Sequence, residues 1–195
     1  FCTKKNTLKL KFLNVVRQIN IPFSWYESGM SRLWNFNLQY FDWARELVDE
    51  AILNNNWPKE LKMLNKIIDN WIYENQPGFG DGWHSYTLSI RIRNWIYIFR
   101  TFPELVNEKK ISSLWMQICW LNSHKEYCYG GNHLIENLIT LIIGSLQFKG
   151  KESAKIYDKA TIELKNELFK QILDDGGHYE RTAAYHFLIL DLEKY

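Results

Sequence analysis

Three observations predict an all-α fold built of antiparallel helix hairpins. Apolar residues recur at helical spacing along most of the chain, glycine-containing turns separate the stripes, and no segment alternates convincingly as a strand. The chain has 195 residues, of which 46% are hydrophobic and 24% charged, so it is long enough to bury a core and too apolar for a disordered tail.

Residues 1–33 read as an irregular lead-in, because the Leu8-to-Phe12 alternation is short and the aromatic run from Phe23 to Phe36 has no clear period. Residues 34–195 form the helical domain. Phe41, Ala44, Leu47, Val48, Ala51 and Ile52 make the first i, i+3, i+4, i+7 stripe. Leu61, Leu64, Ile67, Ile68, Trp71 and Ile72 make the second, with Pro58 suited to its first turn. Ser85 is placed to cap a third helix carrying Leu88, Ile92, Trp95, Ile96 and Phe99. Further helices are expected over about 111–127, 132–148 and 152–173, and a last one from Thr182. Turns such as Asn75-Gln-Pro-Gly-Phe-Gly-Asp-Gly82 and Asp174-Asp-Gly-Gly177 fit connections between helix hairpins. Paired helices of this kind make a toroid, a solenoid or a bundle. With no repeat signature in the chain, an (α/α) toroid is favoured.

Twenty-four Lys+Arg against 22 Asp+Glu leave a net charge of +2, which removes the electrostatic case for a dedicated nucleic-acid binder. The most apolar stretch, Leu138 to Phe148, is about half of the ~20 residues a membrane span needs. Cys2, Cys119 and Cys128 form neither a CxxC pair nor an even disulfide framework. The chain begins at Phe1 and ends inside an apolar run, so it reads as part of a longer protein, with no secretory signal in view. Nine Trp, eleven Tyr and eleven Phe are many for this length. They serve equally a packed core or a cleft whose flat faces stack on sugar rings.

Three polar clusters interrupt the apolar pattern. In Gly130-Gly-Asn-His-Leu-Ile-Glu-Asn137, helical spacing puts Asn132, His133, Glu136 and Asn137 on one sector of a helix start. Asn132 then has two readings, an N-cap or a member of a cleft-lining site. In Asp174-Asp-Gly-Gly-His-Tyr-Glu-Arg-Thr-Ala-Ala-Tyr-His186, Tyr185 and His186 fall in a first helical turn after Thr182. The partial positive charge there favours a phenolate or an anionic substrate. In Gly82-Trp-His-Ser-Tyr-Thr-Leu-Ser-Ile-Arg-Ile-Arg-Asn-Trp95, Arg91 sits between apolar residues, where a guanidinium suits a planar carboxylate, with Trp83 and Asn94 nearby in sequence. No GxSxG, HExxH, Walker or GxGxxG motif occurs.

Trp34-Asn-Phe-Asn-Leu-Gln-Tyr-Phe-Asp42, Trp83 to Trp95, Gly131 to Asn137 and Asp175 to His186 resemble, in this order, the N-terminal helical domain of the heparinase II/III-like polysaccharide lyases, to which alginate lyases of the same architecture are related. The resemblance implies an incomplete (α/α) toroid followed by a C-terminal β-sandwich outside this sequence. It implies β-elimination on an acidic, uronate-containing polysaccharide, periplasmic or extracellular location, and no cofactor or metal in the reaction itself. It places catalysis on Asn132, His133 and Tyr185. Substrate binding is expected from Arg91, Asn94, Trp83, Glu136, His186 and Arg181. A further family histidine belongs to the β-sandwich. The residue types leave two other classes open, a non-catalytic glycan-binding module and a toroid glycoside hydrolase.

Overall fold

The computed structural model describes residues 7–54, 58–128, 131–177 and 179. The chain divides into two compact units, 1–117 and 118–195.

The first unit opens with a two-stranded antiparallel hairpin, β1 (Thr7–Phe12) and β2 (Val15–Asn20), in register Thr7↔Asn20 to Phe12↔Val15. The hairpin stands where the sequence offered no convincing strand, and it is a small addition to a chain that is otherwise mostly helical, as expected. Leu8 and Leu10 are fully buried while Lys9 and Lys11 face out, the period-two pattern of a half-buried strand. The hairpin turns through Leu13 and Asn14, both at positive φ (51° and 62°), the backbone of a two-residue turn that matches strand twist. Phe12 meets the indole of Trp34 edge-on at 5.0 Å, which ties the hairpin to the first helix.

Four helices follow within this unit: α1 (Arg32–Tyr40), α2 (Asp42–Asn54), α3 (Pro58–Glu74) and α4 (Ser85–Thr101). The Ser31 side chain caps α1 by accepting the Trp34 N–H at 3.2 Å. Phe41, at φ 66°, ends α1 in the left-handed conformation and lets α2 start at the next residue. Pro58 opens α3, as its missing N–H predicts. Ser85 is the first residue of α4 and not its cap; His84 holds the cap position, and its backbone carbonyl accepts the Leu88 N–H. α4 packs on α1 and α2.

The core of this unit is aromatic. Trp25 stacks on Phe41 at 5.1 Å, Phe41 meets Trp95 edge-on at 5.6 Å, and Trp95 meets Trp71 edge-on at 5.3 Å. Trp25, Trp34, Trp43, Trp71, Trp83 and Trp95 are all buried. The abundance of tryptophan is therefore mostly core.

α5 (Glu108–Ser123) crosses the boundary between the units. It ends at Ser123 instead of continuing to about residue 127, and residues 124–128 form a loop. The second unit then contains α6 (Gly131–Ser145) and α7 (Lys151–Gln171), which pack on each other through Ile135, Ile139, Leu164 and Leu168. Gln171, at the end of α7, donates from Nε2 to the Gly131 carbonyl at 3.2 Å and so clasps the start of α6. The helix expected from Thr182 lies outside the described residues. Among the described residues no helix is long and apolar enough to cross a membrane.

Candidate functional site

In the first unit, the three residues expected to meet substrate, Arg91, Asn94 and Trp83, are buried. Arg91 is fully buried. Its Nη2 donates to the Gly82 carbonyl at 2.6 Å, its Nε to Gln117 Oε1 at 2.9 Å, and its Nη1 to the Gln39 carbonyl at 3.4 Å. The guanidinium carbon lies 3.9 Å from the centroid of the Trp71 ring, a cation–π contact in a dry setting. Burial pushes the group well below its ordinary pKa, and these carbonyls and the indole face are what compensate the charge. In this structure the donors expected to meet a substrate carboxylate point inward to these partners. Asn94 is spent the same way, donating from Nδ2 to the Tyr40 carbonyl and to Asp42 Oδ1, both at 2.8 Å. Trp83 is buried beside Trp71, with Nε1 donating to the Asn75 carbonyl at 3.4 Å.

Gly82 explains why this hub has a glycine. A Cβ there would sit 2.8 Å from Gln39 Oε1 and 3.0 Å from Asn75 Oδ1, so a side chain at this position would force the two amides to shift. Next to the hub, a cleft of ≈ 650 Å³ opens among Trp25, Tyr26, Asn75, Phe79, Gly80 and Asp81. Tyr26 and Phe79 are exposed on it, by 59% and 77%. Arg32 donates to Asp81 Oδ1 from Nε at 3.0 Å and Nη2 at 2.8 Å. Sequence reading passed over this cleft, because its aromatic residues come from two loops and no helical period.

In the second unit the site begins at α6. Gly131 is the first helical residue, with φ 55°, so Asn132 lies within the first turn and is not the N-cap. Asn132 and His133 are half-buried, whereas Glu136 and Asn137, one turn on, are buried. Helical spacing therefore produces an outer row, Asn132 and His133, backed by an inner row, Glu136 and Asn137.

The loop before α6 adds a residue that the sequence did not single out. Glu126 is buried, its Oε1 lies 3.4 Å from His133 Nδ1, and its backbone N–H donates to Asn137 Oδ1 at 2.9 Å. The end of α5 hid it, since a helix run on to residue 127 leaves Glu126 as one more helical acid. The double glycine at 130–131, which demands a loop before it, was the available signal. On either side of Glu126, Lys125 and Tyr127 turn to Glu163: Lys125 Nζ lies 3.5 Å from Oε2, and the Tyr127 hydroxyl donates to Oε2 at 2.8 Å. Burial lowers the Lys125 pKa. Burial first, then the Glu163 carboxylate, pushes the Tyr127 phenol up to about 12, the wrong direction for a proton acceptor.

Tyr185, His186 and Arg181 lie outside the described residues. Among the described residues no group of three or more His, Cys, Asp or Glu side chains converges to hold a metal ion.

Over residues 23–193 the chain matches the model of the heparinase II/III N-terminus, and it belongs to that family, which is related to polysaccharide lyases. Comparisons with curated proteins and with solved structures return no match.

Proposed function

We propose that the chain is the helical part of a polysaccharide lyase that cleaves a uronate-containing glycan by β-elimination, within an incomplete (α/α) toroid completed by a C-terminal β-sandwich. The observation that carries this reading is the layered start of α6, with Asn132 and His133 half-exposed over buried Glu136 and Asn137. Buried polar groups are costly, so an inner row that supports an outer one is a feature of sites more than of scaffolds.

In the proposed reaction, Asn132 and His133 hydrogen-bond the uronate carboxylate and stabilise the enolate-like state as charge moves onto its oxygens. Tyr185, as phenolate, removes the C5 proton and, as phenol, gives a proton to the departing O4. The C5–H and C4–O4 bonds break, and a C4=C5 double bond forms. A tyrosine with a free pKa near ~10 needs positive charge nearby for this, and Arg181, His186 and the helix start are the proposed sources. Arg91 has no part in the scheme, because its donors are committed to the core. Tyr127, held as a phenol by Glu163, is no substitute for Tyr185.

A screen of the full-length protein against uronate polymers, read by the ultraviolet absorbance of the unsaturated product, tests this. Tyr185→Phe abolishes that product and leaves glycan binding intact. Unchanged turnover in that variant overturns the assignment, and a new reducing end without the chromophore identifies a hydrolase. A second reading, a glycan-binding module without catalysis, is favoured by the cleft beside Tyr26 and Phe79. It predicts glycan binding that weakens in Phe79→Ala, with neither product formed.

A further inference from the structure

We infer that Glu126 is the positioning residue for His133: its carboxylate holds the imidazole by Nδ1 and fixes both the ring and its proton. The inference deepens the lyase reading and takes the place of His133 in that scheme from it.

A carboxylate has no hydrogen to give, so the 3.4 Å contact between Glu126 Oε1 and His133 Nδ1 requires the proton on Nδ1. Any bond from the ring to substrate is then made by Nε2. The carboxylate is itself held. Its side chain is 8% exposed against 39% for His133, so the imidazole is the wetter partner and Glu126 the fixed one. The Glu126 backbone is pinned by Asn137, which is fully buried in α6 one turn beyond His133. The path is closed: α6 carries both His133 and the residue that anchors its partner loop. Lys125, the cation next in sequence, is turned to Glu163 and to Asn122, with Nζ 3.2 Å from the Asn122 carbonyl. A spacing of 3.4 Å exceeds the roughly 2.7–3.2 Å of a strong bond, the length expected of catalytic hydrogen bonds before substrate is bound. When the uronate carboxylate takes on enolate charge, a ring backed by a carboxylate is the stronger donor, because the positive charge it gains is already stabilised from behind.

The full-length protein labelled with ¹⁵N-histidine tests this without turnover, with His133 assigned by its loss in His133→Asn. In the wild type, the ring-nitrogen shifts of His133 report a protonated Nδ1. In Glu126→Leu, which keeps most of the side-chain volume and has no acceptor, that preference is lost while helical circular dichroism is retained. A wild-type ring bearing its proton on Nε2 alone overturns the inference, and needs no variant. So does a Glu126→Leu protein with an unaltered His133 signature. In the active full-length protein, Glu126→Gln lowers kcat by about 10–100-fold with KM little changed, as loss of a supporting partner does. An equal change in KM alone counts against the role. Failure of every uronate polymer to react, with Nδ1 still protonated, overturns the lyase reading and leaves the pairing in place.

Discussion

The polar residues of α4 and those at the start of α6 look alike in sequence and behave differently in the fold. Both sets sit in helices among apolar neighbours. Arg91 and Asn94 turn inward and spend their donors on carbonyls of Gln39, Tyr40 and Gly82 and on the side chains of Gln117 and Asp42. Asn132 and His133 remain half-exposed, and the bonds beneath them are made by Asn137 and Glu126. A charged residue flanked by isoleucines is therefore no sign of a binding site by itself. Arg91 and Asn94 are held mainly by backbone carbonyls, whereas side chains lie beneath Asn132 and His133.

Substitutions widen or erase that contrast. Arg91→Ala strands buried acceptors and removes the cation over Trp71, and the expected loss is about 3–5 kcal/mol in chemical denaturation, with little soluble protein at elevated temperature. A variant that melts like the wild type shows that α4 does not depend on this hub. Asn132→Ala is expected to do the opposite, lowering turnover by about 10²–10³, typical of a lost oxyanion donor, while the melting temperature holds. Unfolding of this variant, seen as lost helical circular dichroism, would move Asn132 to the scaffold class. Asn137→Ala belongs between the two, since it frees the Glu126 loop: the loss is about 1–3 kcal/mol for an orphaned buried group, together with faster amide exchange at Glu126. Unchanged exchange there separates the loop from α6.

The smallest effect is a pH dependence. The Tyr127 phenol is held up to about 12 in the fold and titrates near ~10 when unfolded. The unfolded chain thus loses this proton first. The contribution is full below pH ~10 and is lost as pH rises from there toward about 12. Melting temperatures of wild type and Tyr127→Phe are expected to diverge less at pH 11 than at pH 8. A constant difference dismisses the Glu163 bond as an energetic factor.

Much of the helical frame was legible because burial is periodic. The stripes through Leu47, Ile67 and Ile92 appear in α2, α3 and α4 as expected. The hairpin was not, for two physical reasons. Its turn uses Leu13 and Asn14 at positive φ without a glycine, and β2 exposes Val15, Val16, Arg17 and Gln18 in succession, so no alternation remains to be read. Helical spacing was enough to place Asn132, His133, Glu136 and Asn137 together at the start of α6, since it needs only one helix. Glu126 and the Arg91 partners come from other segments, and spacing along the chain carries no record of them.

The carbonyl of Gly82 has a consequence for how the protein is made. It is grasped by Arg91, whose remaining donors reach back to Gln39 and forward to Gln117, so one knot gathers chain from nearly the whole first unit. Gln117 follows Arg91 by 26 residues, so during synthesis it is the last of these partners to be made. Chains that stop short of Gln117 carry a half-dressed guanidinium in an apolar setting, and quality control will meet them as unfolded.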